Sequence, residues 1–498
     1  MDLLLTFLSH YRKLNECNEK NIFINCLADL NQDLNSATHL IFGKKFNMIV
    51  KKGKIPESVT CVTINDNFDQ KKNIGIFPNS VTHFIFDDKF SKNIIIGFIP
   101  ESVKYVYFGK RFSNTFEVGA LPKSIIHCTL HSLYNYYQMF TPGMFPNLLT
   151  HLIIENFYGE PLSIGVLPNS LRYFKVRNFY NEALSIGVLP NSLTHLILEN
   201  FNQPLSVGIF PNSLRYLKLE NFNQPLSVGV LPNSLTNLSI RHFNRPLDIG
   251  VLPNSLTQLK LRYFNQPLQI GVLPNSLIYL DFGIYFNQPL SVGILPNSLI
   301  YLILSRDFNQ PLNIGVLPNL LAHLIIKEKF SQELREGVLP NSLIYLHFED
   351  HIWSFSSFNQ ILSIGILPNS LRYLNLGKRY NQPLNVGVLP NSLTHLILGY
   401  NFNQKLSVDV VPKSLKFLTI GNRFNQEIDN SILNNLFELI VPQFIDYTIF
   451  KKKCNKNILI AYVEDDNIIY KDLNIILSYN DKILLDSNYI SKYKLFHN

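Results

Sequence analysis

Apolar and polar positions along this chain follow one block that returns at short, regular intervals. The clearest copy opens at Pro190-Asn191-Ser192 and places Leu193, Leu196 and Leu198 in the spacing Leu-x-x-Leu-x-Leu. Phe201, Leu205, Val207 and Ile209 follow, and Pro211 opens the next copy. The alternation of Leu196 and Leu198 is the period of a short strand with one buried face. Val207 and Ile209 alternate again, which predicts a second short extended segment on the way back. Opening prolines stand at Pro56, Pro78, Pro100, Pro122, Pro146, Pro168, Pro190, Pro211, Pro232, Pro253, Pro274, Pro296, Pro318, Pro340, Pro368, Pro390 and Pro412. Most of these gaps are 21 or 22 residues, with longer ones after Pro122 and Pro340. Leu34 stands one interval before Pro56, so the array holds about eighteen units between residue 34 and roughly residue 430.

So short a unit leaves no room for a long helix on its return side. Each unit offers about seven apolar side chains, worth roughly 1.5–3 kcal/mol apiece when buried. Ordering its backbone costs about 1–2 kcal/mol per residue. One unit therefore cannot fold alone, and the copies must stack. The expected fold is mainly β: a solenoid with a parallel sheet on one face, extended or 3₁₀ segments on the other, and little helix.

Polar positions in the block have structural readings. Pro-Asn-Ser is a turn signal before each strand. Asparagine usually follows the phenylalanine, as at Asn202, Asn223, Asn265, Asn287, Asn309 and Asn403, and predicts a buried asparagine ladder. The glycine of Ser-Val-Gly-Ile predicts a bend or a close contact between coils.

At this point the block Phe-Asn-Gln-Pro-Leu-Ser-Val-Gly-Val-Leu-Pro-Asn-Ser-Leu, as at 222–235, resembles the FNIP repeat, a variant of the leucine-rich repeat. The resemblance covers about four-fifths of the chain. It implies a leucine-rich-repeat-like solenoid, a cytosolic setting and a role in protein–protein contact. Some relatives carry an F-box ahead of the repeats, which implies an alternative role as substrate adaptor for a ubiquitin ligase. Residues 1–33 are short for that domain and contain no proline. They read more simply as a helical N-terminal cap, which an array needs to cover its first coil. The expected organisation is cap (1–33), repeat solenoid (34–430) and C-terminal cap or small extension (431–498).

A row of residues on the strand face carries the candidate site. The residue five after each opening position lies between two inward leucines and so points outward. The row includes His151, Tyr173, His195, Tyr216, Tyr279, Tyr301, His323, Tyr345, Tyr373 and His395, and it takes seven of the 13 histidines. Aromatic neighbours on adjacent strands can stack and stabilise the sheet. Tyr and His also offer apolar area with a polar tip, the chemistry of protein interfaces. Two further readings are weaker. His127 and His151 fall on neighbouring strands, but zinc wants three or four ligands and no third is evident. Lys175, Lys218 and Lys260 beside Tyr173 and Tyr216 could hold a nucleic-acid strand or another anionic surface. Glu155, Glu199 and Glu220 interrupt that patch. The long unit after Pro340 adds Trp353, the single tryptophan, as a possible interface anchor. Tyr134, Tyr136 and Tyr137 mark the other irregular unit.

Composition narrows the functional classes. Of 498 residues, 46% are hydrophobic and 16% charged, which excludes a disordered chain. The net charge of +8 is diluted over that length, and part of it sits in Lys44, Lys45, Lys51, Lys52 and Lys54. It permits an acidic partner without singling out nucleic acid. The 5 cysteines are odd in number and form no short-spaced pair, which reads as free thiols in a reducing, intracellular compartment. No stretch approaches the length of a membrane span, so no membrane partner is expected. Phosphate-loop, dinucleotide, zinc-protease and nucleophile-elbow motifs do not occur. No cofactor is implied. The expected function is a non-enzymatic scaffold with an unknown protein partner.

Overall fold

The computed structural model describes residues 21–24, 37–112, 116–131, 140–155, 161–177, 183–349 and 358–442, and the backbone of 459–464, 467–470 and 475–478. Residues through Phe243 and residues from Asn244 onward cluster as two compact units. Each is a stack of coils of the kind the pattern predicts.

The first unit contains β1 (Asn21–Ile24), β2 (His39–Phe42), β3 (Cys61–Ile64), β4 (His83–Phe86), β5 (Tyr105–Phe108), β6 (His127–His131), β7 (His151–Glu155), β8 (Tyr173–Arg177), β9 (His195–Glu199), β10 (Tyr216–Leu219) and β11 (Asn237–Ile240). Consecutive strands pair in parallel, one coil to the next. The second unit contains β12 (Gln258–Leu261), β13 (Tyr279–Asp281), β14 (Tyr301–Ile303), β15 (His323–Lys327), β16 (Tyr345–Glu349), β17 (Tyr373–Asn375), β18 (His395–Ile397), β19 (Phe417–Thr419), β20 (Glu438–Pro442), β21 (Leu459–Glu464), β22 (Asn467–Tyr470) and β23 (Ile475–Ser478). Its parallel ladder runs from β12 to β21, and β21, β22 and β23 then pair antiparallel. Helix is nearly absent among the described residues. Those described residues hold one 3₁₀ turn, Lys71–Asn73, and one short α-helix, Asn430–Asn435, capped by the Asp429 carboxylate, which accepts from the Ser431 N–H.

The sheet reaches past both boundaries expected of the repeats. Strand β1 lies in the segment read as a helical cap and pairs with β2 in full register. At the other end β20 and β21 continue the parallel ladder beyond residue 430.

Within a coil, Leu193, Leu196, Leu198, Phe201, Leu205, Ile209 and Phe210 are buried. Val207, expected inside by its alternation with Ile209, is 59% exposed. The cause is the next residue. Gly208 has φ of 88°, so the chain turns sharply there and throws the preceding side chain outward. Space does not demand this glycine, because an added Cβ would meet only Ile186 Cδ1 at 4.0 Å. Backbone conformation does.

Candidate functional site

Each residue of the predicted row, from His39 to Phe417, is the first residue of its strand. Parallel pairing sets neighbours directly opposite: His151 faces Tyr173, Tyr173 faces His195, and His195 faces Tyr216. In the second unit Tyr279 faces Tyr301, followed by His323, Tyr345, Tyr373 and His395. The rings stack accordingly. In the first unit centroids lie 5.7 Å apart for His151–Tyr173, 6.3 Å for Tyr173–His195 and 5.7 Å for His195–Tyr216. In the second they lie 4.2 Å apart for Tyr301–His323, 4.3 Å for Tyr345–Tyr373 and 4.2 Å for His395–Phe417. Faces are therefore largely covered by neighbouring rings. The row is half-buried for the most part, and His39, Cys61, His127 and Tyr279 are buried outright. Cys61 is a small side chain flanked in register by His39 and His83.

Hydrogen bonds fix the imidazoles. Thr150 Oγ1 donates to the Ile126 carbonyl of the preceding coil at 3.0 Å and lies 2.9 Å from His151 Nδ1. Thr194 repeats this with the Arg172 carbonyl and His195, and Thr394 with the Arg372 carbonyl and His395. A hydroxyl has one proton. It goes to the carbonyl, so the imidazole must donate from Nδ1, and the acceptor lone pair sits on Nε2. Burial holds the rings neutral. It lowers His151 and His323 to about 4, with the charge of His195 adding to the effect at His151. It lowers His39 to about 4, helped by His83, and His127 to about 3, helped by His151 and His83.

His127 and His151 lie face to face with centroids 4.0 Å apart and planes 8° apart. Their lone pairs lie in those planes and run parallel, so they do not converge on a shared ion. Cys128 occupies an inward position, in register with Val106 and Leu152. Burial pushes its thiol well above the usual range and the Cys61 thiol up to about 12.

Four basic groups of the strand face, Lys175, Arg177, Lys218 and Arg241, are paired with carboxylates. Lys175 Nζ lies 3.0 Å from Glu155 and 3.3 Å from Glu199. Arg177 spans the same two carboxylates at 3.8 and 3.5 Å. Lys218 pairs with Glu220 at 2.7 Å, and Arg241 approaches Glu220 at 3.6 Å. Lys260 sits over the Tyr279 ring, 5.3 Å from its centroid. Trp353 and the Tyr134–Tyr137 segment lie outside the described residues.

The asparagine ladder forms, but at the surface. Asn265 N donates to Asn244 Oδ1, Asn287 N to Asn265 Oδ1 and Asn309 N to Asn287 Oδ1, each at 2.9 Å. The glutamine after each asparagine donates to the same oxygens, as Gln288 does to Asn265 at 3.1 Å. The ladder is half-buried or exposed because it lies on the turn beside the strand; only the phenylalanines next to it are interior. Between Asn265, Asn287, Asn309 and the side chains of Tyr263, Tyr285, Asp307 and Lys329 runs an open groove of about 510 Å³. The Tyr285 ring is packed by Tyr263, 5.0 Å away, and by the Arg306 guanidinium at 5.9 Å.

Sequence reasoning missed two features. The serine of Pro-Asn-Ser stitches coils together: Ser192 Oγ donates to the Leu171 carbonyl at 2.6 Å and Ser298 Oγ to the Leu277 carbonyl at 2.7 Å. The residue before most turn glycines forms an exposed aliphatic row, including Ile164, Ile186, Val207 and Val228 in the first unit and Ile249, Ile270, Val292 and Ile314 in the second, with Lys52, Pro142 and Glu336 in its place in three coils. Its signal was the glycine one position on.

Strands, ladders and turns together define a solenoid of the leucine-rich-repeat type. The chain belongs to the FNIP-repeat family: the FNIP Repeat matches overlapping segments that run through residues 46–351 and 358–444. Among solved structures it is similar to CroV588, described as a novel circular leucine-rich-repeat protein. Identity is 33% over 86% of this chain and 73% of that one, with a TM-score of 0.67. The Toll–Spätzle complex of Drosophila is 15% identical over 90% of this chain and 62% of that one, with a TM-score of 0.52, a likeness of fold alone. No curated protein sequence matches the chain. No helix among the described residues is long and apolar enough to cross a membrane.

Proposed function

We propose that this chain is a non-enzymatic protein–protein interaction scaffold that receives its partner on the strand face. The ring ladder from His151 to Tyr216 and from Tyr301 to His395 is the observation that carries this reading. Rings already ordered by their neighbours lose little rotamer freedom when a partner arrives, which removes part of the cost of association. Their edges offer apolar area favoured at interfaces, while the Tyr301 and Tyr373 hydroxyls and His395 Nε2 are themselves buried. Tyr279, being buried, serves packing more than contact. A residue copied along many coils makes an extended surface and does not make one catalytic constellation. Leucine-rich-repeat proteins commonly mediate protein interactions, which supports the same reading. The ion pairs of Lys175 and Lys218 weigh against a nucleic-acid partner, because their charge is already spent on carboxylates. Free, buried Cys61 and Cys128 fit a reducing, cytoplasmic setting.

The test is affinity purification of the intact chain beside a Tyr216→Ala/Tyr301→Ala/Tyr345→Ala variant. A Val228→Ser/Ile314→Ser variant on the opposite row is the control. Partners lost by the first variant and kept by the second support the strand face. Equal recovery by all three chains refutes it, provided circular dichroism shows all three folded.

A further inference from the structure

The return side of the first coils carries a surface that the strand-face reading leaves unused. Side-chain amides lock these segments together. Val50 N donates to Asn73 Oδ1 at 2.7 Å, and Asn73 Nδ2 donates to the Met48 carbonyl at 3.0 Å. Gln70 Nε2 donates to the Asn93 carbonyl at 2.8 Å, and its Oε1 accepts from Ile95 N at 3.2 Å. Asn73 and Gln70 are buried, so segments 48–50, 70–73 and 93–95 are held side by side. From this platform Ile49, Ile74 and Ile96 protrude, 57%, 50% and 53% exposed. Around them stand the exposed lysines Lys51, Lys52, Lys54, Lys71, Lys72 and Lys92. Asp69 is taken up by Lys72 at 3.1 Å. Exposed carboxylates nearby in sequence are Glu57 and Glu101 on the adjoining proline turns, Asp88, which pairs with Lys110 at 2.6 Å, and Glu117 one coil on. The aliphatic row continues along later coils, but this concentration of lysine does not.

We propose that this face docks on the surface of an anionic lipid bilayer. Ile49, Ile74 and Ile96 enter the boundary between head groups and acyl chains while the lysine ammoniums meet head-group phosphates. Peripheral binding of this kind needs buried apolar area together with attraction to anionic lipid. It needs no spanning segment, so the absence of one does not bear on it. The chemistry favours a bilayer over a nucleic acid, since Phe77 and Phe98 of these coils are interior and offer no exposed ring for a base to stack on. Ile74 and Ile96 stand out at turns and Ile49 on the extended segment before one, which suits insertion better than capture of an acidic peptide.

Co-sedimentation of the full chain with vesicles tests this. One set is phosphatidylcholine alone and the other contains roughly one third phosphatidylserine. The bound fraction should rise about tenfold on the anionic vesicles and fall with added salt. Ile49→Ser/Ile74→Ser/Ile96→Ser and Lys51→Glu/Lys52→Glu/Lys54→Glu should each lose about tenfold, while Ile270→Ser/Val292→Ser should bind as the parent does. Failure of the parent to sediment with anionic vesicles overturns the proposal. So does equal binding by the parent and the triple-isoleucine variant, matched by equal binding of both to duplex DNA, since that describes a general polyanion site. Should the lysine variant misfold, the salt series on the parent reads the same electrostatic contribution. Loss of vesicle binding leaves partner recovery through the strand face unaffected, so the two readings fail separately.

Discussion

At three Thr-His pairs of the strand face one hydroxyl proton decides the tautomer of the ring, whereas His39, which also follows a threonine, bonds instead through Nε2 to Thr63 Oγ1 at 2.8 Å. Thr150, Thr194 and Thr394 all give that proton to a carbonyl of the coil before and accept from Nδ1 of the next residue. At His323 the preceding residue is Ala322, and the buried Nδ1 has no hydrogen-bond partner. Ala322 N makes the same bond to the preceding coil, to the Ile300 carbonyl, that its threonine counterparts make. Ala322→Thr should therefore supply the missing acceptor and raise stability by about 1 kcal/mol, read as a shift in the urea midpoint. No change would mean that Nδ1 is satisfied by water in solution. The turn glycines set the opposite lesson. Gly229 has φ of 83° and ample room, with Val207 methyls 3.8 Å from a built Cβ. Gly229→Ala should cost about 1–2 kcal/mol through the backbone alone, with no repacking visible in a crystal structure. Position in the repeat was enough to place both residue types. The tautomer and the outward turn of Val207 were not legible, since each depends on a neighbour's proton or dihedral angle and not on hydrophobic period.

The coil is an element held by four ladders: backbone, phenylalanine, serine and asparagine. The strand start was legible because two inward leucines leave one outward position between them, and His195 and Tyr216 fall there. Phenylalanine stacking follows from the same spacing: Phe286 and Phe308 lie 6.3 Å apart with planes 2° apart. Asparagine was read as buried because a side-chain amide in a repeat usually satisfies interior backbone. Here the backbone it satisfies belongs to a surface turn. Asn403 Oδ1 accepts from Asn425 N at 3.0 Å and from Gln426 Nε2 at 3.2 Å. Asn403→Ala removes the shared acceptor, leaving Gln426 Nε2 its bond to Asn425 Oδ1 at 2.8 Å and the exposed Asn425 N–H to water, and should cost about 0.5–1 kcal/mol by denaturant unfolding. Asn403→Asp keeps an acceptor oxygen and should recover most of that loss. Equal losses in the two variants would show that the amide, and not the shared oxygen, is what the ladder needs.

Across the whole molecule the strand-face histidines couple folding to pH. His39 and His127 belong to the first unit, and His323 and His347 to the second. Burial lowers His39, His323 and His347 to about 4 and His127 to about 3, from an ordinary value of 6.5. An unfolded chain takes up protons on these rings as the pH falls through 6.5, whereas the folded chain resists until about pH 4. Between those limits the unfolded state binds more protons, so stability falls as the pH falls, and the slope fades over about one pH unit above 6.5. A tenfold loss of proton affinity on folding corresponds to about 1.4 kcal/mol, so buried His39 alone contributes on the order of 3 kcal/mol across the window. Thermal unfolding followed at pH 7.5, 6.5 and 5.5 should therefore show a shallow upper interval and a steeper lower one. Replacing His323 and His39 with Phe keeps a ring in each stack and removes the protonation site, so the lower slope should shrink while the melting point at pH 7.5 changes little. An unchanged slope in that variant would mean that these imidazoles already reach solvent and titrate normally in the folded chain.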